Sequence, residues 1–272
     1  MDWTFLQDWL ATAHLGLLVL LFFLLMCLSA TLGALLRRAQ RRRAGAEAGS
    51  EGQQGYIVSA VLGLLALLMG FTFSIAVERF DARRLLVLEE ANAIGTAYLR
   101  AQLLSEPHRA RMSGILRQYV DNRIALARAR PGEASPLLAR NDALVTDMWS
   151  ATSAAFPTIQ GLDFSSVYLN AVNAVIDLDA SRKAARMARV PAEVVAVLLI
   201  YLVTTAGMLG YVLQGAAVKA AGAFLLALLT LSLALIVDID RPTLGGIVEG
   251  QGPMEALRDA LATPPSVYDR WR

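Results

Sequence analysis

The chain has 272 residues, of which 56% are hydrophobic and 18% are charged, and its formal net charge is +2. Soluble domains carry about a quarter charged residues, so this composition argues against a soluble protein and favours a membrane protein. A charge so close to balance also argues against a nucleic-acid partner. Cys27 is the single cysteine, which excludes an intrachain disulfide and favours no metal site.

Four uncharged runs follow one another along the chain, at residues 15–36, 55–77, 194–218 and 220–237. Because a helix needs about 20 residues to cross about 30 Å of hydrocarbon, each run predicts one membrane span, the fourth being short. The first run has no basic leader and is followed by arginines, so we expect an uncleaved span rather than a signal peptide. Lys219 stands between the last two spans and marks a tight hairpin near Gln214 and Gly215.

The second run passes into charged sequence without a proline. Positions spaced alternately by four and three residues continue across this boundary: Phe73, Val77, Phe80, Arg84, Val87, Ala91, Ile94, Tyr98 and Ala101. Such spacing describes one face of one helix. We therefore predict a single continuous helix that leaves the membrane and enters the soluble part of the protein.

About 115 mostly polar residues between the second and third spans predict three more helices, from caps, first-turn prolines and helical spacing. The first begins near Ser105 and Pro107 and has an apolar face of Met112, Leu116 and Tyr119. The second begins at Ser135, ends before Pro157 and has a face of Leu138, Val145 and Trp149. The third begins at Asp163 and has a face of Tyr168, Val172, Val175 and Asp179.

These patterns predict an all-α polytopic membrane protein with four transmembrane helices and a helical soluble block between spans two and three. Five segments are expected: the first span with an arginine-rich loop (1–54), the second span continuing into a soluble helix (55–104), the soluble block (105–189), a hairpin of spans three and four (190–241), and a Gly/Pro-rich tail (242–272) with one short helix at 254–261.

Charged residues cluster where the spans meet the soluble block. The end of span two, the start of span three and the end of span four lie on the same membrane face, so their charged residues are expected to share one layer. These residues are Arg79, Arg83, Arg84, Arg182, Lys183, Arg186, Arg189, Asp238, Asp240 and Arg241. Ion pairs such as that of Arg84 with Asp238 or Asp240 would offset the cost of charges at the membrane edge. The alternative is an electropositive vestibule that concentrates anions.

The stretches "GFTFSIA", "RFDARR", "EANAIGTAYLRA" and "DIDRP" resemble the bacterial bestrophin-like family and, more distantly, the bestrophin anion channels. The residues that match the second-span signature in order are Gly70, Phe71, Ser74, Ala76, Arg79, Phe80 and Arg83. The resemblance implies a homopentamer with span two around a central anion pore and a cytoplasmic soluble block. Asp81 replaces a second aromatic after Phe80, and two aspartates flank Ile239 in place of a dense acidic clasp, which argues against calcium gating.

Under that resemblance, the pore-lining candidates are Phe71, Thr72, Phe73, Ser74, Val77 and Phe80, and the anion-attracting candidates are Arg79, Arg83 and Arg84. Aromatic rings present positive edges to an anion, and hydroxyl groups donate hydrogen bonds. These six side chains are spread around the helix, and Phe73, Val77 and Phe80 form the more coherent face. The alternative for the aromatic residues is ordinary packing against spans one and four.

The leading hypothesis is a passive channel for inorganic anions, formed by a homo-oligomer in the bilayer of the cell inner membrane. The alternative is a non-conducting scaffold or sensor whose soluble block binds a partner. We expect no enzyme, cofactor or metal site, because His14 and His108 lie far apart and the adjacent Glu89 and Glu90 point to different helix faces. The orientation stays open: Arg37, Arg38 and Arg41 to Arg43 favour one side, and the arginines that flank spans two and three favour the other.

Overall fold

The computed structural model describes residues 13–44, 51–130, 132–242 and 245–262, and within these ranges the secondary structure is helical, without a strand. The helices are α1 (Leu15–Ala44), α2 (Glu51–Ala101), α3 (His108–Arg128), α4 (Ala134–Ile159), α5 (Phe164–Met187), α6 (Ala192–Val212), α7 (Ala216–Asp240) and α8 (Gly252–Ala262). The predicted all-α class is confirmed. Residues 1–12, 45–50 and 263–272, which belong to the predicted first segment and tail, lie outside the described residues.

The chain forms two compact units. The membrane unit contains residues 1–80 and 189–248, and the soluble unit contains residues 81–188 and 249–272. Helix α2 belongs to both, and it is helical at every position from Ala76 to Val87. The prediction of one continuous helix across the boundary is confirmed.

Among the described residues, four stretches are long and apolar enough to cross a membrane, and they contain α1, the first part of α2, α6 and α7. Leu18, Leu65, Leu202 and Leu233 lie at the centre of the membrane unit and are fully buried. Helices α6 and α7 form the predicted hairpin, which turns at Gly215 with a φ of 82°. Lys219 lies in the first turns of α7 rather than between the two spans.

Helices α1 and α6 approach each other through glycines. A Cβ atom on Gly33 would lie 2.0 Å from the carbonyl oxygen of Gly207, and a Cβ atom on Gly210 would lie 1.8 Å from that of Ala30. Beside this contact, the Ser29 hydroxyl donates to the carbonyl of Val203 at 2.6 Å. Small residues allow membrane helices to pack backbone against backbone, and this contact sets how closely α1 and α6 lie.

The soluble unit is a bundle of α3, α4, α5, α8 and the second part of α2 around a core in which Ile94, Leu116, Met148 and Tyr168 are fully buried. The predicted inner faces of α3 and α5 are confirmed, since Met112, Leu116, Tyr119, Tyr168, Val172, Val175 and Asp179 are buried. The predicted C-terminal helix is also present, as α8.

The predicted inner face of α4 is confirmed at Val145, which is half-buried against the core, and wrong at Leu138 and Trp149. Leu138 is 40% exposed and Trp149 is 49% exposed, whereas Asn141, Leu144 and Met148 are buried. The inward face is therefore one position away from the predicted one. The helix also continues through Pro157 and ends at Ile159. Pro157 has no N–H group, so the last turn of α4 lacks one backbone hydrogen bond.

Candidate functional site: helix α2 and the charges around it

In the membrane unit, helix α2 has one covered face and one open face. Leu65, Met69, Thr72 and Ala76 are buried, with spacings of four, three and four residues. The residues of the open face are also three or four positions apart. They are Leu64 at 44% exposure, Leu67 at 52%, Phe71 at 61% and Ile75 at 39%. A membrane helix with an apolar face left open by its own chain contacts lipid or a second copy of the protein there.

The six pore-lining candidates lie on different faces of α2. Phe71 is 61% exposed, and Phe73 is 39% exposed. Ser74 is also exposed, whereas Thr72 is buried and its hydroxyl donates to the carbonyl of Leu68 at 2.8 Å. Val77 and Phe80 are half-buried against the core of the membrane unit. Of the predicted set, Phe73 is thus as exposed as Ile75, whereas Val77 and Phe80 are half-buried, and the assignment of these residues to a pore stays a prediction.

The three anion-attracting candidates differ in burial. Arg79 is half-buried, and Arg84 is exposed on a cleft of about 530 Å³ in the soluble unit, together with Asp81. Arg83 is 2% exposed, and its Nε donates to Glu249 Oε1 at 2.9 Å. The sequence does not indicate Glu249 as the partner of Arg83, because it lies 166 residues further along the chain, in the glycine-rich tail. Its carboxylate balances the charge of Arg83 within one protomer.

The acidic residues at the end of α7 bind backbone amides. The carboxylate of Asp238 accepts hydrogen bonds from the N–H groups of Gly246, at 3.0 Å, and Ile247, at 3.1 Å. Asp240 accepts one from the N–H of Val190 at 3.0 Å. Together they hold the segment after α7 and the segment before α6 against the end of α7. Arg241 is 4% exposed, and the pairing of Arg84 with Asp238 or Asp240 stays a prediction.

A family model for the Bestrophin-like domain matches residues 20–248. The chain belongs to the bestrophin-like family. Among solved structures it is similar to a bacterial bestrophin homologue from Klebsiella pneumoniae that carries one substitution, with 16% identity, a TM-score of 0.64, and coverage of 89% of this chain and 93% of the other. The same homologue, solved by Zn-SAD phasing, gives 16% identity, a TM-score of 0.61 and coverage of 90% and 94%. No curated protein sequence gives a significant match.

The soluble unit of this bestrophin-like protein encloses a cluster of buried polar side chains. Its members are Glu90 from α2, Tyr119 and Arg123 from α3, Asn141 from α4, and Asp179 and Arg182 from α5, each no more than 4% exposed. We call it the polar cluster. In the sequence, Glu90 was considered only as the neighbour of Glu89. Its spacing from Val87 and Ile94 nevertheless places it on the buried face of α2.

Glu90 lies at the centre of the polar cluster. Its carboxylate accepts hydrogen bonds from the hydroxyl of Tyr119, at 2.6 Å, from Arg123 Nε, at 3.2 Å, and from Arg182. Asp179 accepts from Asn141 Nδ2 at 2.8 Å and from Arg123 at 3.3 Å. Two buried carboxylates therefore face two buried guanidinium groups, and the partly exposed Lys183 also pairs with Asp179, at 2.6 Å, as well as with Asp142.

The surroundings of the polar cluster shift the pKa values of Tyr119 and Arg123. Burial, followed by the nearby charge of Glu90, raises the pKa of Tyr119 far above its ordinary value, so the phenol stays neutral and donates. Burial lowers the pKa of Arg123, but Glu90, Tyr119 and Asp179 outweigh that effect and raise it overall. Tyr119 therefore stays neutral and Arg123 stays charged, and the hydrogen bonds of the polar cluster join α2, α3, α4 and α5 inside the soluble unit.

Proposed function

We propose that this bestrophin-like protein is a passive anion channel, formed by several copies that place the open face of α2 around a common path. The observation that carries the proposal is the exposure of Phe71, which is 61% exposed on an apolar face that the protomer itself does not cover. Membership of the family supports a pentamer of the 29.3 kDa chain.

The chemistry of this face suits an anion that has shed part of its water. The ring edge of Phe71 carries partial positive charge and can face an anion, and the apolar side chains of Leu64 and Leu67 would form a narrow hydrophobic constriction. The hydroxyl of Ser74 supplies a hydrogen-bond donor nearby. In the soluble unit, the exposed guanidinium of Arg84 would raise the local concentration of anions.

Chloride efflux from proteoliposomes tests the channel. We expect Phe71→Ala to change the efflux rate at least fivefold, because it removes the ring from the proposed constriction. Phe224→Ala is the matched control, since Phe224 is 67% exposed on α7 and outside α2. Its rate should stay within twofold of the wild type. Efflux no faster than that of empty vesicles, or equal effects of the two substitutions, would contradict the proposal.

Exposed apolar residues on α4 support the alternative, a non-conducting scaffold or sensor. Leu138 and Trp149 are large and exposed there, and exposed apolar side chains of this kind can bind a partner. The two hypotheses differ in the efflux experiment, because a scaffold gives no efflux with either membrane orientation. Light scattering in detergent separately tests the assembly, which should have the mass of five chains.

A further inference from the structure

An open groove lies between three membrane helices, α1, α6 and α7. Its volume is about 470 Å³, which lies in the range of ligand pockets. The walls are mainly apolar, and representative lining residues are Ala30 and Leu35 from α1, Leu209 and Leu213 from α6, and Ala223 and Leu226 from α7. Because these residues belong to membrane-spanning helices, the groove opens towards hydrocarbon.

Two cations line the same groove. Arg38 follows the apolar run of α1, and Lys219 lies in the first turns of α7, so both belong to the same membrane edge. Both residues are exposed. The sequence contains no acidic residue from 15 to 44 or from 201 to 219, so these stretches supply no carboxylate to balance the two charges.

The neighbouring Arg37 bonds to the end of α6. It is 7% exposed, and its guanidinium donates to the carbonyl oxygens of Tyr211, at 2.9 Å, and Val212, at 3.1 Å. It therefore satisfies the last carbonyl groups of α6 and fixes the end of α1 against that helix. This contact holds the side of the helix that bears Arg38 towards the groove.

We propose that this groove binds a phospholipid with an anionic headgroup, whose phosphate lies between Arg38 and Lys219 and whose acyl chain lies along the apolar walls. Basic residues at the end of an apolar groove between membrane helices match both parts of such a lipid. A free inorganic anion would not use the apolar walls, and a second protein copy would place its own apolar side chains beside two cations that no carboxylate of the described residues pairs. The site is independent of α2 and of ion conduction.

Native mass spectrometry of the detergent-purified protein tests the site with two probes of equal acyl chains, phosphatidylglycerol and phosphatidylcholine. The wild type should retain phosphatidylglycerol in at least tenfold preference. The variant with Arg38→Gln and Lys219→Gln should lose this preference. The matched control with Arg42→Gln and Arg43→Gln removes the same total charge, two cations, but from residues at the end of α1 that do not line the groove, and it should keep the preference within twofold.

The chain's single cysteine provides a second measurement, because Cys27 also lines the groove and is half-buried. Phosphatidylglycerol should slow its labelling by a small maleimide at least fivefold, and inorganic phosphate should not. The proposal is overturned by equal retention of the two lipids, by equal loss in the two double variants, or by a change of oligomer mass in the Arg38/Lys219 variant, which would assign the groove to a second copy. None of these outcomes depends on chloride efflux.

Discussion

At the scale of single residues, Glu90 and Glu89 form a natural pair for a stability experiment. They are adjacent and carry the same charge, but Glu90 is fully buried in the polar cluster, whereas Glu89 is exposed. Glu90→Gln should lower the free energy of unfolding of the soluble unit by about 3–5 kcal/mol, because Arg123 and Arg182 then lie buried opposite a neutral amide. Glu89→Gln should change it by no more than about 0.5 kcal/mol.

Urea unfolding followed by the fluorescence of Trp149 in α4 measures this difference, in a background where the other three of the four tryptophans are replaced by phenylalanine. The unfolding midpoint should fall only for Glu90→Gln, without a change in slope. If both variants unfold at the same urea concentration, the polar cluster does not stabilise the bundle in the way described.

At the scale of helices, the contact between α1 and α6 leaves no space for a side chain at Gly210. Gly210→Ala would place a Cβ atom 1.8 Å from the carbonyl oxygen of Ala30, so the two helices must separate. Overpacking of this kind costs about 1–3 kcal/mol. Gly63→Ala in α2 is the matched control, since no atom lies within 4 Å of its added Cβ. A thermal melt in detergent should show a lower Tm for Gly210→Ala alone, and an unchanged Tm would contradict the close approach.

The helices also show how far the sequence alone could predict this structure. The faces of α3 and α5 were predicted correctly because the helical spacing of their buried residues, such as Leu116 and Val172, is a local signal. The predicted cap at Asp163 makes no side-chain hydrogen bond to the helix. The face of α4 was not fully predicted, because it includes the buried Asn141, whose side-chain amide donates to Asp179 of another helix. Hydrophobicity does not identify a buried amide. The pairing of Arg83 with Glu249 was missed for the same reason, since it joins positions far apart in the chain.

Helix α2 gives the clearest comparison within one element. Of its predicted stripe, Val87, Ala91, Ile94 and Tyr98 are buried in the soluble unit, as the spacing predicts. In the membrane unit the buried face is instead the one with Thr72 and Ala76. Lipid is as apolar as the protein core, so in a membrane span the hydrophobic pattern does not separate the two faces. The candidate pore residues could therefore be assigned to α2 but not to one face of it.

At the scale of the whole molecule, the positions of the spans fix which segments share a membrane side. With four spans, the soluble unit lies on one side, and the C-terminal end of α1 lies on the other side together with the hairpin at Gln214. The charges do not choose between the two orientations, because Arg37 on one side and Arg83 and Arg182 on the other are buried and engaged within the protomer. The family resemblance favours a cytoplasmic soluble unit.

Cysteine accessibility in intact cells tests this orientation. In a Cys27→Ser background, Gln214→Cys should react with a membrane-impermeant maleimide added outside the inner membrane, whereas Arg130→Cys should react only after the cells are opened. Arg130 lies between α3 and α4 and Gln214 lies between α6 and α7, so neither substitution interrupts a helix. The reverse pattern would place the soluble unit outside the cytoplasm and argue against the arrangement on which the channel proposal rests. Labelling of both sites from outside would contradict the four-span topology itself.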